Sequence, residues 1–120
     1  MAAILSVDDS NTMRFVIDTV LTHAGHEVVQ AGDGIEALGL ARRREFQVVL
    51  TDIHMPGMDG YALIRELRAL SAYRYVPIIA LTATADSEER AAGRDAGATG
   101  WIVKPFSPDR LLGIVKQLVG

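Results

Sequence analysis

The sequence has no cysteine, so it forms neither disulfides nor thiolate metal sites, and this fits a reducing cytosol. It has no basic excess: a formal net charge of -3 gives no bulk attraction to nucleic acid or to an anionic membrane. It also lacks long apolar runs. The first run stops at Asp8, far short of the ~20 residues a spanning helix needs, and Met1-Ala2-Ala3 offers no basic leader. These absences predict a cytoplasmic protein with no membrane insertion and no nucleic-acid partner. Neither GxxxxGK[ST] nor GxGxxG occurs, which argues against a nucleotide cradle. His23, His26 and His54 have no mutual metal-ligand spacing. Lysine is scarce, with only Lys104 and Lys116 in a chain that otherwise uses arginine.

What is present is a regular alternation. At 120 residues the chain is expected to form one domain, 1–120, with no linker or low-complexity tract. Short apolar runs at Ala3 to Val7, Glu27 to Gln30, Val48 to Thr51, Val76 to Leu81 and Trp101 to Val103 read as strands. Between them lie helical periodicities. Met13, Val16, Ile17, Val20, Leu21 and Ala24 form the first, with Asp9 or Ser10 as cap; Ile35, Leu38 and Ala41 mark the second, and Leu63, Ile64, Leu67 and Leu70 the third. A less apolar helix spans about Asp86 to Ala96, and Leu111, Leu112, Val115, Leu118 and Val119 mark the last. Five such units predict an α/β fold, a doubly wound parallel sheet with helices on both faces.

Several apolar runs stop on polar residues: Asp8-Asp9 after the first strand, Asp52 after the third, Thr82 after the fourth and Lys104 after the fifth. In open α/β sheets the functional crevice lies outside the carboxyl ends of the strands. In a doubly wound order 2-1-3-4-5 the first and third strands adjoin, so Asp8, Asp9 and Asp52 would face one another. Three carboxylates together call for a cation, and oxygen donors without imidazole or thiolate suit Mg²⁺. An acid-held metal beside a lysine and a hydroxyl suggests phosphoryl transfer onto the protein, with a carboxylate as nucleophile. Asp8 and Asp9 read as the metal pair and Asp52 as the acceptor. Lys104 can reach a phosphate oxygen as a point charge, aimed by a Lys104-Pro105 bond suited to the cis form, and Thr82 can donate its hydroxyl.

Singly these residues are ordinary. Asp9-Ser10 alone is a helix cap, Thr82 a strand-end threonine, Lys104 a solvated lysine, Trp101 a core aromatic, Arg42-Arg43-Arg44 a solvated helix end, and Gly57 and Gly60 turn residues. Their company at successive strand ends favours the functional reading.

Val7-Asp8-Asp9-Ser10, Thr51-Asp52, Met55-Pro56-Gly57-Met58-Asp59-Gly60, Leu81-Thr82-Ala83 and Lys104-Pro105-Phe106 together resemble the receiver domain of two-component response regulators, over the whole chain. The stretch from Gly93 to Phe106 resembles the single-domain chemotaxis (CheY-like) type. The resemblance implies a flavodoxin-like (βα)5 fold with strand order 2-1-3-4-5. It also implies that Asp52 takes phosphate from a histidine kinase, that Asp8, Asp9, Asp52 and the backbone carbonyl of His54 hold Mg²⁺, and that Thr82 and Lys104 contact the phosphoryl group. Thr82 and Trp101 would form the switch, with the aromatic swinging inward, although Tyr or Phe is commoner at that position. His54 and Thr84 would tune the acyl-phosphate lifetime. The implied partners of a monomer are a chemotaxis kinase, the flagellar motor switch protein and a phosphatase.

Such a protein is not a turnover enzyme. The alternatives are a phosphate shuttle or sink in a phosphorelay, and a small aspartyl-phosphate hydrolase. Against the hydrolase, Ile53 and His54 follow Asp52 where such phosphatases place a second acid two residues on. A flavin reading lacks the Ser/Thr-rich phosphate loop after the first strand.

Overall fold

The five apolar runs pair as one parallel sheet in the computed structural model, which describes residues 2–84 and 86–119. Strands β1 (Ala3–Val7), β2 (Glu27–Ala31), β3 (Val48–Asp52), β4 (Ile78–Thr82) and β5 (Gly100–Val103) lie in the order β2-β1-β3-β4-β5. Helices α1 (Asn11–His23), α2 (Gly34–Arg43), α3 (Gly60–Ala69), α4 (Ser87–Ala96) and α5 (Pro108–Val119) follow the strands in turn. The expected doubly wound fold and strand order are therefore those observed.

Alternation along the central strands divides the core in two, because successive side chains point to opposite faces. Ile4, Val48, Leu50, Ile79, Leu81 and Ile102 pack against Ile17 and Leu21 of α1 and Leu111 and Val115 of α5. Leu5, Val7, Val49, Ile78 and Ala80 pack on the other face with Leu38 of α2, Leu63, Ile64 and Leu67 of α3, and Ala96 of α4. Both faces of β3 and β4 are covered, which is why these strands read as unbroken apolar runs.

Each of the first four helices starts on a side-chain cap. Ser10, Asp33, Asp59 and Asp86 accept the backbone N–H of Met13, Glu36, Ala62 and Glu89, satisfying a donor that has no intrahelical partner.

Three details differ from the sequence expectation. Ile35 is 70% exposed, since α2 buries Leu38 together with the small residues Gly34, Ala37 and Ala41, a stripe that Ile35 flanks. Val16 and Ala24 likewise face solvent beside the buried Ile17 and Leu21 of α1. Strand β4 starts at Ile78 rather than Val76, and the chain before it carries an unforeseen 3₁₀ turn, Ser71–Tyr73. Arg68 holds that chain, donating from Nη1 to the carbonyls of Tyr73 (2.8 Å) and Val76 (2.6 Å), from Nε to Gly97 (3.0 Å) and from Nη2 to Thr99 Oγ1 (3.2 Å). It ties α3 to the segments that lead into β4 and β5.

Gly60 sets how closely α3 approaches the end of β3. Its N–H donates to the Ile53 carbonyl at 2.8 Å, and a Cβ there would lie 2.3 Å from the Asp52 carbonyl oxygen and 2.7 Å from Ile53 Cα. Backbone cannot yield as a side chain does. Gly60→Ala should lower stability by about 1–3 kcal/mol, as overpacking does. Urea unfolding checks this: the midpoint falls at unchanged slope, and an unmoved midpoint contradicts the close-approach role.

Candidate functional site

Register brings the polar strand ends together. Val7 pairs with Thr51, so the next residues, Asp8 and Asp52, leave the sheet side by side. Asp52 pairs with Leu81 and Thr82 with Val103, which sets Thr82 and then Lys104 along the same edge of the next two strands. The Lys104-Pro105 bond is cis, as the sequence suggested, and the Lys104 N–H donates to the Thr82 carbonyl at 2.7 Å.

The Lys104 ammonium bridges two carboxylates. Nζ lies 3.1 Å from Asp8 Oδ2 and 3.2 Å from Asp52 Oδ1. Asp8 is fully buried and its other oxygen, Oδ1, accepts the Ser10 N–H at 2.9 Å. Its backbone is held as well: its N–H donates to the Ala31 carbonyl, and Arg14 Nη1 donates to its carbonyl at 2.5 Å. Asp52 Oδ1 also accepts the Ile53 N–H at 2.9 Å, and among the described residues no donor reaches Oδ2.

Asp8, the exposed Asp9 and Asp52 each offer an oxygen within 4.8 Å of the others. The donor set is all hard oxygen, held on the first turn after β1 and the last residue of β3, and one ammonium does not balance its negative charge. These residues fit a small divalent cation that keeps part of its water shell. Asp52 shows the electrostatic consequence: burial first, and then the neighbouring Asp8, push its pKa above the usual carboxylate range, against the opposing pull of Lys104.

Thr82 is buried, and its hydroxyl turns away to donate to the Thr84 carbonyl at 2.9 Å. Trp101 pairs in register with Ala80, two residues before Thr82, so the three side chains share the α2–α4 face. The indole is half-buried against that core. A Cβ on Gly93 of α4 would lie 2.8 Å from its Nε1, so the absence of a side chain there makes the seat for the ring. His54 sits on the loop after β3 with its side chain largely exposed.

The structure gathers Asp8, Asp9, Asp52, Thr82 and Lys104 on this edge, with Trp101 set back on β5 opposite Ala80, and the His54 imidazole meets Glu89. Sequence reasoning missed Arg14, which reads as an ordinary residue of α1's first turns, and Gly93, a small residue in a polar helix. It also missed Glu89, which stands three residues after the Asp86 cap and so looks like the back-bonding acid of a helix start.

The profile of the response regulator receiver domain matches residues 4–116. The chain belongs to the receiver domains of response regulators. The receiver fold is closely similar to that of the Vibrio cholerae chemotaxis protein CheY4, at a TM-score of 0.96 and 41% identity over 98% of both chains. It is also similar to the receiver domain of a sensor histidine kinase of Pseudomonas aeruginosa with a magnesium ion coordinated in the active site cleft, at a TM-score of 0.93 and 37% identity over 99% of this chain and 98% of that one. A curated relative, the "Probable transcriptional regulator ycf27" of Porphyridium aerugineum, is 40% identical over 97% of this chain and 47% of its own length. The chain thus spans about half the length of the first curated relatives it matches. Receiver domains are in general signalling modules rather than turnover enzymes. Among the described residues no helix is long and apolar enough to cross a membrane.

The raised pKa of Asp52 predicts a stability effect with a definite sign. A carboxyl whose folded pKa exceeds its unfolded value binds more protons when folded, so stability falls as pH rises from the unfolded value, about 4, through the folded one. In cation-free buffer Asp52→Asn should therefore melt at a higher temperature than the parent at pH 7, with the difference shrinking toward pH 4. Lys104 retains Asp8 as a partner in that variant. Equal melting temperatures across this range contradict the electrostatic account.

Proposed function

We propose that this receiver domain accepts a phosphoryl group on Asp52 from a histidine kinase and thereby changes its affinity for a partner, the flagellar motor switch. The observation that carries the reading is the convergence of Asp8, Asp9, Asp52, Thr82 and Lys104 at the carboxyl ends of four adjacent strands, with the Lys104 ammonium bridging Asp8 and Asp52.

Asp52 Oδ2, which no described donor occupies, attacks the phosphorus of a phosphohistidine in line; the P–N bond breaks, the imidazole leaves, and Asp52 becomes an acyl phosphate. Asp8, Asp9, Asp52 and the His54 carbonyl would hold Mg²⁺, which supplies charge neutralisation for the transferring group. The Pseudomonas receiver with magnesium in its cleft supports that choice of ion. Lys104 follows the new phosphoryl oxygens from its place between Asp8 and Asp52. Such a site needs alignment and charge compensation rather than an acid–base pair.

Thr82 then exchanges its bond to the Thr84 carbonyl for one to a phosphoryl oxygen. The vacated space lies on the same face as Trp101, which moves inward from its seat on Gly93 and alters the surface of α4, β5 and α5. The full-length match with a chemotaxis protein supports motor control.

Trp101 is the sole tryptophan and reports the switch. Its emission should change on addition of Mg²⁺ and again with beryllofluoride, and the second change should vanish in Asp52→Asn. Phosphate uptake from a small phosphodonor that persists in Asp52→Asn contradicts the assigned acceptor. Binding of the phosphorylated form to a motor-switch peptide supports motor control; transfer of the group to a histidine phosphotransfer domain, without peptide binding, indicates a relay shuttle instead.

A further inference from the structure

Glu89 occupies the position, three residues after the Asp86 cap, from which a glutamate ordinarily folds back onto its own helix start. Here it does not. Its Oε2 accepts the Tyr61 hydroxyl at the start of α3, and its Oε1 lies 3.3 Å from His54 Nε2 on the loop after β3. The Asp86 N–H, which a back-folded glutamate would satisfy, donates instead to Thr84 Oγ1 at 3.3 Å. The carboxylate is sheltered, with the Glu89 side chain 20% exposed. It spans the gap between α4 and the elements beside Asp52.

This arrangement makes one hydrogen-bonded arch. The Thr82 hydroxyl donates to the Thr84 carbonyl, Thr84 Oγ1 receives the Asp86 N–H, Asp86 Oδ1 receives the Glu89 N–H, and the Glu89 carboxylate grips Tyr61 and His54. For Thr82 to turn toward Asp52, its bond to Thr84 must break. Any displacement of Thr84 then pulls on the cap of α4, which Glu89 anchors to α3.

We propose that Glu89 is a positioning residue that clasps the start of α4 to Tyr61 and His54 and so holds the domain in its resting conformation. The inference rests on the phosphoacceptor reading above. The clasp acts on the equilibrium between two conformations, so its removal raises the fraction competent for a phosphoryl mimic and tightens apparent binding in proportion.

The test is titration with beryllofluoride at saturating Mg²⁺, followed through Trp101 emission, in the parent, Glu89→Ala, Glu89→Gln, Tyr61→Phe and Asp52→Asn. Glu89→Ala should bind the mimic about threefold or more tighter, since the competent fraction scales the apparent constant. Tyr61→Phe, which leaves α4 untouched, should shift in the same direction by less. Glu89→Gln removes the same charge from the α4 N-terminus but keeps an acceptor for Tyr61, so it should stay near the parent. That separates the clasp from a helix-dipole effect. A parent that responds to beryllofluoride while Glu89→Ala binds it equally or more weakly overturns the clasp alone. A tightening equal in Glu89→Gln and Glu89→Ala, with Tyr61→Phe unchanged, also overturns it. A parent that gives no Asp52-dependent response overturns both this inference and the reading on which it rests.

Discussion

The site depends on one ammonium shared between two carboxylates. Asp8 and Asp52 leave neighbouring strands at the same level, one fully buried and the other nearly so, and burial together with the charge of Asp8 disfavours the ionised form of Asp52. Lys104, delivered from two strands away, lies within 3.2 Å of both. Its single charge does not neutralise the pair together with Asp9. The residual negative charge suits a dication. The sheet order matters because it alone places these strand ends in a row.

Much of this was legible in the sequence for a simple reason. Strands buried on both faces announce themselves as apolar runs, and a run that stops on Asp, Thr or Lys marks a crevice residue. Asp8, Asp9, Asp52, Thr82 and Lys104 were all found that way, and the structure brings them to one edge. The order of the strands was not legible from alternation, since periodicity is blind to which strand adjoins which; it came with the family resemblance. Ile35 misled because a large aliphatic residue outweighs Gly34 and Ala37 in any reading by hydrophobicity, although those small residues belong to the stripe that α2 buries. Val76 misled because its carbonyl is claimed by Arg68, a contact between residues eight apart that no local pattern encodes.

The residues whose roles the sequence did not disclose are those whose effect depends on distance rather than type. Gly60 reads as a turn glycine, yet it carries a close approach of α3 to the backbone of Asp52 and Ile53. Gly93 reads as a weak spot in a helix, yet it leaves room for the indole of Trp101. Glu89 reads as the acid of a helix cap and instead reaches across to another element. These three lie on α3 and α4, where the proposed switch has to move, while the acid pocket is fixed by strand register and by Ser10 and Arg14.

The central claim is that, of three neighbouring carboxylates, Asp52 alone receives the phosphoryl group. Borohydride converts an aspartyl phosphate to homoserine, so reductive trapping after incubation with acetyl phosphate and Mg²⁺, followed by peptide mass mapping, identifies the acceptor directly. The account predicts homoserine at position 52 with Asp8 and Asp9 unmodified, and no conversion when Mg²⁺ is withheld. Homoserine at position 8 or 9, or conversion at 52 that is indifferent to the cation, would contradict it.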